Sequence, residues 1–232
     1  MQLGDLFANL SYGSLSNLAI GGEGSGVIPA QHEPRLVSLT NQALKLLSGK
    51  FLMCEKEVII RAIEGRAIYP LEYEFAESNT AATGDKFIVD TVEQPFMEDV
   101  VTVLEIYDEL NQEMAINDAS DPWSLFTPST TTLQIPFQNN GDFYYVLYQA
   151  LHPKLVTGDL TQELKVPPAL QPALQAHVGY QIFSGMNGPE HAQKAGELIT
   201  LFDTLCAETE AKNLVRTSTS RSTCKFSTRG FK

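Results

Sequence analysis

The spacing of apolar residues changes period twice along this chain, which restricts it to folds with two kinds of packing. Near the N-terminus, Leu3, Leu6, Phe7 and Leu10 fall on one side of a short amphipathic helix over residues 2–10. Leu36, Leu39, Ala43, Leu46 and Leu47 form a second three/four-spaced stripe. It belongs to a helix that opens near Pro29 or Pro34, with Gly49 as its expected stop. Residues 51–151 change character, with strand-like runs at 51–54, 57–63, 68–75, 86–92, 100–107, 131–137 and 143–151. Apolar and acidic residues alternate in Leu71–Glu72–Tyr73–Glu74–Phe75, which predicts a sheet with one wet face. Phe143 to Tyr148 are apolar on both faces, which predicts a central or interface strand. Turn signals separate these runs: Thr83–Gly84–Asp85, Asp121–Pro122 and Asn139–Asn140–Gly141–Asp142.

Residues 167–213 return to helical spacing. Leu170, Leu174, Val178 and Ile182 make one stripe. After a break at Asn187–Gly188–Pro189, Ala192, Ala195, Leu198, Ile199, Phe202, Leu205 and Cys206 make another, with Glu190 suited to the helix N-terminus. The chain therefore reads as α+β: a helical bundle formed by N- and C-terminal helices, an inserted antiparallel β domain and an extended C-terminal arm. Residues 1–50 and 152–211 supply the bundle, 51–151 the insert and 212–232 the arm. Residues 11–18 read as a turn or cap, and GGEGSG at 21–26 as a flexible link. With 232 residues, 43% of them hydrophobic, the chain has enough apolar surface for a core and is not expected to be disordered throughout.

Charge is as segregated as periodicity. The net charge is −12, the wrong sign for a sequence-independent nucleic-acid binder. From Phe87 to Pro153 there is no Lys or Arg, only Asp90, Glu93, Glu98, Asp99, Glu105, Asp108, Glu109, Glu113, Asp118, Asp121 and Asp142. Residues 212–232 hold Lys212, Arg216, Arg221, Lys225, Arg229 and Lys232 with no acid, and their apolar anchors are Phe226 and Phe231. Alone, such a segment should not fold; it reads as an arm that orders on a partner. Nucleic acid is one such partner, but the acidic remainder would repel it, so an acidic groove on a protein is favoured.

Familiar chemistry is hard to find. Gly21 and Gly26 have the spacing of a phosphate loop, but Val27 stands where its Lys belongs, so a plain linker is the better reading. His32, His152, His177 and His191 share no metal-ligand spacing, and His177 is expected as a hydrogen-bonded histidine at the edge of a buried stripe. Asn117, Asp118 and Asp121 could offer oxygens to Ca²⁺, and paired acids could act as acid and base. A solvated negative surface explains them more simply. No catalytic residue, cofactor or metal is assigned. Cys54, Cys206 and Cys224 are widely spaced and odd in number, which suggests free thiols in a reducing compartment. Neither a secretory leader nor a membrane span is expected.

The order of certain segments carries a resemblance. They are Leu3-x-x-Leu6-x-x-x-Leu10–Ser11, Gly13 to Leu18, Asn41–Gln42–Ala43–Leu44, Ile106–Tyr107–Asp108, Leu133 to Pro136, Tyr148 to His152, and the closing helices through Tyr180, Gly185 and Gly188. In this order the chain resembles the head-to-tail adaptor (connector) proteins of short-tailed bacteriophages. The resemblance implies a virion structural protein at the head–tail junction, assembled in the host cytoplasm. It implies a homo-oligomeric ring of twelve copies between a portal protein and a tail nozzle protein, through which DNA passes without specific binding. It also implies that the arm reaches the portal. The long β insert suggests a further contact with nozzle or tail fibre proteins. Another tail component, such as a tail-tube or fibre-binding protein, is the alternative, and a carboxylate-based hydrolase a more distant one. In the adaptor reading the acids from Asp90 to Asp121 are candidates for a negative channel lining or a solvated surface.

Overall fold

The computed structural model describes residues 1–136 and 141–215. The fold is α+β, with helices and antiparallel sheets. The described residues form two compact units, one from 1–53 and 152–215, the other from 54–136 and 141–151.

In the helical unit, α1 (Leu3–Tyr12) buries Leu3, Leu6, Phe7 and Leu10, and its first turn is closed by Gln2 N–H donating to Asp5 at 2.9 Å. Helix α2 (Glu33–Lys50) carries Pro34 in its first turn. It runs through Gly49, which faces open space, and ends where Phe51 turns extended and buries its ring. Burial of Phe51, not the glycine, therefore fixes the stop. A short turn of 3₁₀ helix at Pro168–Leu170 leads into α3 (Gln171–Ser184), and Gly188 at φ +120° separates it from α4 (Pro189–Ala211). The two helices pack side by side, and α1 and α2 also pack on α3, so helices from both ends of the chain share one hydrophobic core. Leu170, Leu174, Val178, Ile182, Leu198, Phe202 and Cys206 lie in it, whereas Ala192 is exposed. The returning segment is clasped within this unit. Leu155 exchanges two hydrogen bonds with the Asn41 side chain, and the backbone of Leu3, Gly4 and Leu164 bonds to Gln162, Leu160 and Met1.

The glycine-rich stretch is a packed crossing, not a flexible link. Ile20 and Gly21 are buried, and the Ser11 hydroxyl donates to the Gly21 carbonyl while accepting from Gly26 N–H at 3.0 Å. A Cβ on Gly21 would come within 2.1 Å of the Leu15 carbonyl, and one on Gly26 (φ +80°) within 2.2 Å of the Tyr12 hydroxyl. Glycine is required here for close approach and for a left-handed turn.

The β unit holds two sheets. The larger has β1 (Glu55–Arg61), β3 (Ile88–Val89), β4 (Val100–Tyr107) and β7 (Phe143–Ala150) in the order β3-β1-β7-β4. The smaller orders β2 (Ile68–Pro70), β5 (Phe126–Ser129) and β6 (Thr132–Gln134) as β2-β6-β5. The central strand β7 pairs antiparallel with β1 from Glu55↔Gln149 to Arg61↔Phe143, and with β4 from Val100↔Ala150 to Tyr107↔Tyr145. Three strand expectations are corrected. Residues 52–54 are not in a strand. Ile88–Val89 is all that pairs within 86–92. The alternation at Leu71–Phe75 is not a strand either: β2 ends at Pro70, and Tyr73–Phe75 is a single 3₁₀ turn that stacks Phe75 on Phe87 at 4.7 Å. Leu71 N–H still donates to the Thr131 carbonyl at 2.8 Å before the 3₁₀ turn begins. β5 was not expected from the sequence, because Pro128 and its Thr and Ser neighbours weaken the strand signal. It lies at a sheet edge, where proline is tolerated.

Candidate functional site

The β unit carries eighteen acids and four cations, a net charge of −14. Many of its carboxylates accept hydrogen bonds from the fold. Asp90 accepts from Ser78 N–H (2.7 Å), the Ser78 hydroxyl (2.5 Å) and Phe96 N–H (2.8 Å). Burial raises its pKa, but these bonds outweigh it and hold Asp90 below the usual carboxylate range. Asp99 pairs with Lys56 at 2.5 Å and accepts from the Tyr148 hydroxyl at 3.0 Å. Glu98 accepts from Tyr73 N–H, and Glu105 from the Tyr107 hydroxyl. That bond, with burial, pushes the Tyr107 phenol up to about 12. Asp118 accepts from Ser120 N–H and Oγ, and Asp121 from Trp123 N–H, so both close turns. Among the described residues no group of three or more His, Cys, Asp or Glu could hold a metal ion. Glu93 and Glu113 are exposed.

The structure gathers three of the acids into a cleft. It opens where β1 and β4 finish and β7 begins, with a volume of about 730 Å³. Gly65–Ala67, Asp108–Leu110, Met114, Trp123, Pro136 and Asp142–Tyr144 line it. Asp108 accepts from Leu110 N–H (2.9 Å) and Gln112 N–H (2.8 Å), which fixes the turn after β4. Glu109 reaches across to Phe143 N–H at 2.8 Å. On the opposite wall the Arg66 guanidinium lies 4.4 Å from the Phe87 ring centre and 4.9 Å from that of Phe75, and its Nε–H bonds to the Ile68 carbonyl. Burial, followed by the charge of Asp142 and more weakly of Asp108 and Glu109, pushes the Tyr144 phenol up to about 12. At the mouth two large apolar side chains face water, Trp123 at 67% and Leu110 at 77% exposure. Such a cleft suits a ligand that is both cationic and apolar. Trp123 and Leu110 do not stand out in the sequence; the one available signal is a single tryptophan directly after the Asp121–Pro122 turn.

In the helical unit, Lys212 caps α4 and pairs with Glu208 at 2.9 Å. Arg216, Arg221, Lys225, Phe226, Arg229, Phe231 and Lys232 lie outside the described residues. His177 departs from expectation. It is buried between the Tyr180 and Phe202 rings, and its Nδ1 has no hydrogen-bond partner. Burial and the nearby Lys50 charge lower its pKa, against a smaller opposing effect of Asp203. Burial lowers the pKa of His152, against the opposing bond from Nδ1 to the Pro153 carbonyl, and Nε2 accepts from Lys165 N–H at 2.9 Å. Burial also raises the pKa of the Cys206 thiol, which disfavours the reactive thiolate. Among the described residues no helix is long and apolar enough to cross a membrane. No family model matches the chain, and no curated protein matches it.

Proposed function

We propose that this chain is a structural adaptor at the head–tail junction of a short-tailed bacteriophage, a ring subunit between portal and tail nozzle. The observation that carries the reading is the division of charge. A β unit of net −14 belongs to the same chain as a C-terminal segment of cations without acids. Repeated around a closed ring, the acids become a strong negative field that keeps passing DNA from sticking, and the cations of the C-terminal segment complement an acidic neighbour. The hydrogen bonds that fix many of the carboxylates favour a permanent charged surface over a titrating catalytic pair. In this reading the protein resides in the virion, has no cofactor, and meets portal, nozzle and a fibre protein through surfaces rather than through chemistry.

The test is full-length protein mixed with an assembled portal ring and followed by co-sedimentation and electron microscopy. Binding in a ring, lost on reversal of Lys225 and Arg229 to Glu, is the expected result. Undiminished binding by that variant would overturn the role of the arm, and no ring on any portal would overturn the adaptor reading. In a phage background, changing Glu93 and Glu113 to Lys is expected to slow genome ejection. Both are exposed, so the fold should tolerate the change. Unchanged ejection kinetics would remove them from the channel.

A further inference from the structure

We infer that the acidic cleft of the β unit is a docking site for the C-terminal segment of a second copy of this chain. Residues 216–232 carry five cations and no acid, with Phe226 and Phe231 among them. The cleft offers Asp108, Glu109 and Asp142 against one cation, Arg66, which is paired with Asp85, and beside them the exposed Trp123 and Leu110. The two match in kind: carboxylates for guanidinium and ammonium groups, an indole and an isobutyl group for a phenyl ring. Asp108 and Glu109 are already oriented by backbone donors, so these carboxylates need no rearrangement to receive a cation. The segment follows Val215 and has 17 residues, a reach of at most about 3.3–3.6 Å per residue. This goes beyond the adaptor reading. Free copies hold one another's C-terminal segments, and docking on a portal exchanges one acidic site for another.

The tryptophan count makes the test direct, because Trp123 is the only one in the chain and its emission reports on the cleft. Full-length protein is diluted over a wide concentration range at low salt while Trp123 emission and sedimentation are recorded. The expected result is a blue shift of the emission that grows with concentration in step with association. Moderate salt should weaken both, since charge pairs at a rim are screened. Reversing Lys225 and Arg229 to Glu should weaken association by about tenfold or more. Glu109→Lys should do the same, and a mixture of Glu109→Lys protein with the reversed-tail variant should recover part of the blue shift. Emission that depends on the tail but not on concentration would place the segment on its own chain and overturn the intermolecular reading. Association that survives tail reversal would assign the contact to another surface and overturn it as well. Because no portal is present, failure here leaves the adaptor reading standing, and failure of portal binding leaves this one standing.

Discussion

Ser11 holds the glycine-rich crossing with one oxygen, donating to the Gly21 carbonyl and accepting from Gly26 N–H, and it is fully buried. Ser11→Ala leaves two backbone groups without that partner. It is expected to destabilise the helical unit by about 1–3 kcal/mol, read as a lower denaturant midpoint with unchanged slope. An unchanged midpoint would mean the crossing is held by packing alone. His177 makes the second prediction at this scale. Its pKa in the fold is lowered, so the unfolded chain binds its proton first as pH falls. Stability from this group is complete above its ordinary value near 6.5 and declines as pH drops below it. His152 is lowered too and acts in the same direction. Replacing His177 with Leu should flatten the fall in thermal midpoint between about pH 7 and pH 5 without abolishing it, because His152 remains. A variant as pH-sensitive as the parent would show that His177 does not titrate in this window.

At the scale of elements, the loop from β3 to β4 is gathered onto Asp90, which receives Ser78 from one side and Phe96 from the other. Asp90→Ala should cost about 1–3 kcal/mol in the β unit. The sign of the pH effect follows from a pKa lowered in the fold. The contribution is present above the ordinary carboxylate value near 3.8 and is lost as pH falls through the folded one. The variant should therefore differ most from the parent at neutral pH and converge with it in acid; a constant difference would assign the effect to packing. Elements of this kind were only partly legible in the sequence. The stripes of α1 to α4 and the two-sided apolar run of β7 stand out because periodicity reports burial directly. Residues 71–75 mislead because alternation also fits a turn whose apolar side chains, Leu71 and Phe75, reach the same core from an irregular backbone. The Gly-rich stretch misleads because glycine serves close packing as readily as flexibility. The cleft was not legible, since its walls come from separate stretches around residues 65, 109, 123 and 143, and only the pairing of β1, β4 and β7 gathers them.

At the scale of the whole molecule, charge is unevenly shared between the two units. The described part of the helical unit has a net charge of −3 and the β unit −14. The four cations of the β unit are already engaged: Lys56 with Asp99, Arg61 with Glu77, Arg66 with Asp85, and Lys86 with the Glu74 carbonyl. Its remaining acids repel one another, and that repulsion opposes compactness most at low ionic strength. Raising NaCl from about 0.01 M to about 0.15 M shortens the Debye length from about 30 Å to about 8 Å, which screens exposed acids from each other. The β unit should gain stability over this range while the helical unit changes little. Amide hydrogen exchange on the intact protein separates the two. Protection of β1, β4 and β7 amides is expected to rise with salt, and that of α3 and α4 to stay nearly constant. Equal gains in both units would assign the salt effect to something other than the acids. A loss of protection in the β unit would mean that its ion pairs outweigh its repulsions. It would also weaken the case for a β unit that holds surplus negative charge for a cationic partner to neutralise.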